Sequence, residues 1–218
     1  MMNPSFWSPI VISLQTAAAA LFIVVVFGIL IARWMSRKKF KGKVFLETIL
    51  LLPLVLPPTV VGFLLIILLG RNSLIGSAIE NLSGQPIMFT WQAAVIAAAV
   101  VAFPMMYQSA KTGFLSVDMR AEEAARVDGA SEWKVFLYIT LPLSVKALVA
   151  GVILSFARAL GEFGATLMFA GNLPGKTQTM PTAIYVAFES GNMETAWLWV
   201  SVIMAISFIM LLTTRLLN

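Results

Sequence analysis

Long apolar runs separated by short polar segments form the main pattern of this chain. A hydrocarbon core of roughly 30 Å is crossed by about 20 residues of α-helix, and five of the apolar runs reach that length. The pattern therefore predicts five transmembrane helices, at residues 9–32, 45–69, 87–110, 147–170 and 196–217. The expected fold class is all-α, a polytopic transmembrane helical bundle in a single domain that spans residues 1–218.

Most basic residues lie in two of the four segments that connect these helices. Six follow the first predicted helix and five lie between the third and the fourth, whereas the other two segments hold only Arg71 and Lys176. Because loops rich in Lys and Arg are retained in the cytoplasm, we expect the first and third segments inside the cell. The N-terminus is then outside and the C-terminus, after Arg215, is cytoplasmic, as an odd number of crossings requires.

The composition indicates that the bilayer is the solvent of this chain. Hydrophobic residues make up 60% of the 218 residues and charged residues only 11%, and the mean hydropathy is +0.92. The absence of Cys and His excludes disulfides, thiolate or imidazole metal ligation and histidine acid-base catalysis, so we expect neither a metal site nor a catalytic residue. The net charge of +5 lies in blocks between apolar runs, which indicates membrane topology and no nucleic-acid partner.

Three prolines interrupt the second predicted helix. Pro53, Pro57 and Pro58 each remove a backbone donor and disturb the hydrogen bond one turn back, so the sequence predicts a break. In a bilayer the freed carbonyls are tolerated only against protein or a water-filled cavity. Two interpretations stay open: the segment lines a solute pathway, or the prolines make a simple kink without solute contact.

The fourth predicted helix carries two opposite charges. Arg158 and Glu162 are four residues apart, so on a continuous helix they share a face and can neutralise each other. An unpaired charge at mid-membrane depth costs several kcal/mol, which predicts an intramembrane ion pair. The pair either lines or gates the route of an anion or fixes helix register. We favour the structural role, because a paired arginine has little net charge to offer a substrate.

The polar segment at residues 111–146 has the character of structure rather than of a loose loop. AEEAARVD contains good helix formers, Gly129 permits a tight turn, and SEWKVFLYITL can form a second helix that Pro142 helps to end. The sequence predicts two short amphipathic helices at the cytoplasmic membrane surface.

This segment carries a family resemblance. EAARVDGASEWKVFLYITLPL resembles the EAA loop of ABC importer permeases, and LLPLVLPPTVVGF, VVAFPMMYQSA and FARALGEFGATLMFAGNLPGKTQTMPTAIY resemble molybdate permeases in particular. The resemblance implies the ABC importer permease fold and a coupling helix that docks in a cleft of a cytoplasmic ATPase. The implied coupling residues are Glu123, Ala124, Ala125, Arg126, Asp128 and Gly129. The alternative is an amphipathic helix lying on anionic lipid, which the acidic residues Glu122 and Glu132 disfavour.

The function that the resemblance implies is import of molybdate across a bacterial cell inner membrane. The expected assembly contains two copies of this chain, two ABC ATPase subunits and an external oxyanion-binding protein. No glycine here begins the phosphate-binding pattern GxxxxGK[ST], so we expect the chain to bind no cofactor and ATP and Mg²⁺ to be held by the partner ATPase. Hydroxyl and amide donors that can replace the hydration shell of an oxyanion, or make ordinary packing hydrogen bonds, are Thr59, Ser155, Thr166 and Asn172.

Other functions remain as alternatives. A permease for tungstate, sulfate or thiosulfate is the nearest one, because such proteins have similar EAA and GEFG segments. An ATP-independent membrane channel would need no partner, and the EAA loop argues against it. A membrane-embedded enzyme lacks convincing catalytic residues in a chain without His or Cys.

Overall fold

The chain is all-helical in the computed structural model, which describes residues 4–216. The helices are α1 Pro4–Arg37, α2 Lys43–Val55, α3 Pro58–Leu69, α4 Leu74–Ser83, α5 Trp91–Leu115, α6 Met119–Val127, α7 Glu132–Val135, a π-helix at Phe136–Thr140, α8 Leu141–Leu143, α9 Val145–Leu160, α10 Gly164–Ala170, α11 Met180–Glu189 and α12 Met193–Leu216. The all-α fold class is confirmed. Residue 217, the last of the fifth predicted span, lies outside the described residues.

Three single helices are long and apolar enough to cross a membrane: Phe6–Arg37, Trp91–Leu115 and Met193–Thr213. Two bent pairs pass the same test together, α2 with α3 at 120° and the Glu132–Leu143 stretch with α9 at 73°. The described chain thus has three spans, or five when each bent pair counts as one, which agrees with the predicted number.

The centre of the bundle is built from α1, α5 and α9. Small residues let these helices approach closely, since a Cβ added at Gly113 would lie 2.7 Å from Ala147 Cβ and one at Gly151 would lie 2.7 Å from Ser109 Cβ. Close packing through small residues is how membrane helices associate without a hydrophobic driving force. Tyr107 and Phe114 of α5 are fully buried in this core.

The predicted proline break of the second helix is confirmed. α2 ends at Val55, Leu56 is extended with a ψ of 141°, and α3 begins at Pro58, in accord with the restriction that proline places on the residue before it. α3 then packs on α10 and on α5 in a second cluster that contains Val61, Leu65 and Phe169.

The fourth predicted helix, residues 147–170, is wrong as a single helix. α9 ends at Leu160 and α10 begins at Gly164, so Gly161, Glu162 and Phe163 form a break that contains no proline. The predicted helix end near Pro142 is confirmed, because the helix that starts at Glu132 ends at Leu143 and the chain bends by 73° before α9 begins at Val145. The π-helix precedes Pro142, and there the Leu141 N–H reaches Phe136 O, five residues back.

Candidate functional site

The segment at residues 111–146, which we call the coupling segment after the role that its resemblance implies, contains a capped helix, α6, that ends in a tight turn. The Asp118 carboxylate accepts a hydrogen bond from Arg120 N at 2.9 Å and caps α6. Beyond α6, Ala130 N donates to Ala125 O at 3.0 Å and Gly129 has a φ of +84°. A left-handed residue after a helix is the usual C-terminal cap, and glycine adopts that conformation without a Cβ penalty. The turn lets α7 follow at once.

The implied coupling residues form an accessible face on α6 and on the turn that follows it. Glu123, Ala124, Asp128 and Gly129 are exposed, and Ala125 and Arg126 are partly buried. A Cβ at Gly129 would meet nothing within 4 Å. This face is therefore open to a partner chain in the described structure.

A buried carboxylate, Glu122, lies beside this face. Its side chain is 0% exposed. Oε1 accepts from Thr140 Oγ1 at 2.6 Å and from Arg33 Nη1 at 3.4 Å, and it contacts Arg37 Nη2, while Oε2 accepts from Arg126 Nη2 at 3.2 Å. One residue thus joins α1, α6 and the π-helix.

Glu132 extends this network at the surface. Its carboxylate binds Arg126 Nε at 2.5 Å and lies 3.8 Å from Arg33 Nη2. The hydrogen bond that Arg126 donates to Glu132 raises the pKa of Arg126, so that guanidinium stays charged. The guanidinium of Arg33 also lies over the Phe136 ring, 5.1 Å from its centre. Three arginines and two glutamates therefore fix the end of α1 against the coupling segment.

The sequence interpretation missed Glu122 as a site residue. The spacing of Glu122 and Arg126 is the helical i, i+4 pattern and was a usable signal for one of its contacts. The contacts with α1 had no such signal, because Arg33 is 89 residues away along the chain.

Arg158 and Glu162 are brought together, but across the helix break. Arg158 Nη1 lies 2.7 Å from Glu162 Oε2, and Glu162 Oε1 accepts from Ala165 N at 2.8 Å. Glu162 therefore also satisfies a free N–H in the first turn of α10, and Arg158 lies in the last turn of α9, where a cation is favoured. The pair holds two helix ends in place.

The four candidate pathway residues are not gathered into one cluster. Thr59 is exposed at the start of α3, and a Cβ at Gly164 would lie 3.2 Å from its backbone N, so Thr59 is near the α9–α10 break. Thr166 and Ser155 are buried in α10 and α9, and Asn172 follows α10 at its far end. Within residues 4–216, Ser155 Oγ and Asn172 Oδ1 are buried without a hydrogen-bond partner.

A second ion pair joins α2 to the last third of α5. Lys111 Nζ lies 2.7 Å from Glu47 Oε1, and the Tyr107 hydroxyl donates to the same oxygen at 3.3 Å. α2 itself contains no fully buried residue. Its Leu46, Leu50 and Leu51 pack partly buried against the core, and this ion pair adds a polar attachment. Among the described residues, no group of three or more carboxylates is placed to hold a metal ion.

Comparison with known proteins gives one family and a consistent set of relatives. Residues 6–218 match the family model described as "Binding-protein-dependent transport system inner membrane component". The chain is 62% identical over 206 residues to YvgM of Bacillus subtilis (strain 168), named as a molybdenum transport system permease protein, covering 94% of this chain and 91% of that protein. It is 43% identical over 188 residues to "Molybdenum transport system permease protein ModB" of Escherichia coli (strain K12), covering 86% and 82%.

Solved structures agree in fold. A bacterial alginate ABC transporter in complex with a periplasmic protein gives a TM-score of 0.74 at 17% identity, covering 98% of this chain and 78% of that chain. An inward-facing methionine ABC transporter gives a TM-score of 0.68 at 15% identity, covering 100% of both chains.

Proposed function

Because this chain belongs to the family of binding-protein-dependent transport system inner membrane components, we propose that it is the membrane-spanning subunit of an ATP-driven importer that carries molybdate into the cell. The observation that carries the substrate is the 62% identity, over 94% of the chain, to a protein named for molybdenum transport. The chain is a non-catalytic, multi-pass component of the bacterial inner membrane.

The proposed orientation has the α6 end of the bundle in the cytoplasm. Arg33, Arg37 and Lys111 lie at this end together with the coupling segment, whereas Arg71 lies near Met88 and Phe89, before the start of α5. Retention of basic residues in the cytoplasm then puts the N-terminus outside. This is also the side from which an ATPase reaches α6.

The proposed assembly is two copies of this chain, two ATPase subunits and an external oxyanion-binding protein. ATP and Mg²⁺ are held by the ATPase, and this chain binds no cofactor. The exposed face of α6 and of the turn after it, from Glu123 to Gly129, enters the ATPase cleft. Closure of the ATPases on ATP moves α6, and the attached helices open the pathway to one side and then the other.

The proposed pathway runs beside the two helix breaks. Thr59 at the start of α3 faces the α9–α10 break, and the Ser155 hydroxyl is buried without a partner in the described chain. Thr166 and Asn172 extend this set of donors along α10. Weak, successive donors suit conduction, because an anion held tightly at one point leaves slowly. The Arg158–Glu162 pair is structural in this scheme.

ATP-dependent uptake of molybdate into vesicles tests the substrate. The vesicles contain the chain with its co-expressed ATPase, the binding protein is supplied, and sulfate and tungstate are competitors. Accumulation that excess sulfate leaves unchanged supports molybdate import. Accumulation of sulfate instead would favour the nearest alternative, since the chain is also 34% identical over 195 residues to "Sulfate permease 2, chloroplastic" of Chlamydomonas reinhardtii, covering 53% of that protein.

A substitution at Gly129 tests the docking face. Gly129→Trp places a large side chain in space that is open within this chain, so the clash falls on the partner, and we expect the ATPase no longer to co-purify. Gly84→Trp is the matched control, because Gly84 also has a positive φ of +73° and open space but caps α4, away from α6. Equal co-purification of both variants would exclude this face as the docking surface.

A further inference from the structure

We infer that Glu122 is a positioning residue that makes α6 move as one body with α1 and with the helix leading into α9. This inference rests on the proposed function, in which the ATPase acts on α6. Glu122 itself does not face the ATPase, because its side chain is 0% exposed, whereas the neighbouring Glu123 is exposed.

Apolar packing does not attach α6 to the rest of the chain. Glu122 is the only buried residue of this helix, and its two largest apolar side chains, Met119 and Val127, are 61% and 87% exposed. An amphipathic helix of nine residues normally stays in place by burying an apolar stripe. In α6 the ion pairs and hydrogen bonds of the Glu122 carboxylate attach the helix instead.

The contacts of Glu122 reach the two helices that must respond to α6. Arg33 and Arg37 belong to the last two turns of α1. Thr140 belongs to the π-helix, which continues through α8 to α9. Both α1 and α9 pack against α5 in the core. Through this carboxylate, a displacement of α6 is therefore transmitted both to α1 and to α9.

The physical chemistry makes this attachment rigid. Removing any of these elements from Glu122 leaves a buried charge short of partners, which costs several kcal/mol. Three guanidinium groups also surround only two carboxylates, Glu122 and Glu132. Neutralising Glu122 leaves the three cations with the exposed Glu132 alone, so Arg33 and Arg37 repel Arg126 and α6 separates from α1.

The test is the number of molybdate ions transported per ATP hydrolysed by the assembled complex. Glu122→Gln keeps the shape of the side chain and removes its charge. We expect ATPase co-purification to persist and the ATPase rate to stay within about twofold, while molybdate per ATP falls about tenfold, a typical size for a coupling free energy between two sites. Thr140→Val removes one donor at nearly constant shape, so we expect a smaller fall in the same ratio. Glu194→Gln, an exposed acid in the first turn of α12, should leave the ratio unchanged.

Each outcome decides. An unchanged ratio in Glu122→Gln overturns the inference, and so does a proportional loss of transport and ATPase activity, which is what a merely structural residue would give. If Glu122→Gln does not accumulate in the membrane, Thr140→Val decides by the same ratio. Failure of the unaltered complex to take up molybdate would instead refute the proposed function.

Discussion

At the α9–α10 break, we expect that replacing Arg158 costs more stability than replacing its ion-pair partner Glu162. Glu162 is 1% exposed and Arg158 is 28% exposed. Arg158→Leu leaves a buried carboxylate whose one remaining donor is Ala165 N, and breaking a buried pair in this way costs about 3–5 kcal/mol. Glu162→Gln keeps an oxygen for Ala165 N and leaves a partly exposed arginine, so we expect about 1–2 kcal/mol, one charge-assisted hydrogen bond discounted for exposure.

The double variant sharpens this prediction. Adding Glu162→Gln to Arg158→Leu removes the stranded charge, so the double variant should be more stable than Arg158→Leu alone, by about 2 kcal/mol or more. The destabilisation of the double variant is then smaller than the sum of the two single destabilisations. Such non-additivity is the signature of two side chains that interact with each other. The free energy of unfolding is measured on the purified complex by titration with denaturing detergent.

Two results would refute the reasoning. A double variant less stable than both single variants would mean that the two side chains do not compensate each other. An Arg158→Leu chain with unaltered stability and normal assembly but no molybdate uptake would mean that the guanidinium acts on the anion directly, which is the role that the structural interpretation denies.

Two further predictions concern how helices are held together. Gly62→Ala places a Cβ 2.6 Å from Met168 Cβ and should cost about 1–3 kcal/mol of stability through overpacking of α3 on α10. Gly161→Ala is the control, because its Cβ meets only one backbone oxygen at 3.5 Å and should change the midpoint of thermal unfolding little. Equal midpoints for the two variants would contradict the close approach of α3 and α10. Lys111→Met removes the salt-bridge partner of Glu47 and should speed amide hydrogen exchange in α2 several-fold with no change in α12. About 1 kcal/mol of lost attachment is a factor of about five in an opening equilibrium. Unchanged exchange in α2 would show that this salt bridge does not hold the helix in place.

The sequence predicted the features that depend on local chemistry. The apolar runs located the spans because length and hydropathy are properties of each segment by itself. Pro57 and Pro58 located the first helix break because the missing N–H and the restriction on Leu56 act within a few residues. The turn at Gly129, which follows α6, was predicted for the same reason.

The break between α9 and α10 and the ion-pair network around Glu122 depend on distant parts of the chain. Nothing between Gly161 and Phe163 forbids a helix, and the break is stabilised by Glu162 binding across it and by Gly164 packing on α3, about a hundred residues away in sequence. The contact of Glu122 with Arg33 could not be predicted from the sequence, because it depends on how α1 packs on α5. Short helices outside the spans, α4 and α11, were missed because their ten residues are too few for a hydropathy signal.

The weak packing of α12 has a consequence for the biogenesis of this protein. Only 11% of its most apolar stretch is buried, and its Trp199 reaches α1 through one hydrogen bond to Phe6 O. Of the described helices, α12 is the last to leave the ribosome, and lipid alone supplies most of the free energy for its insertion. The other helices can therefore complete their core while α12 is still in the exit tunnel, and premature termination before Met193 should leave a folded bundle rather than an aggregate.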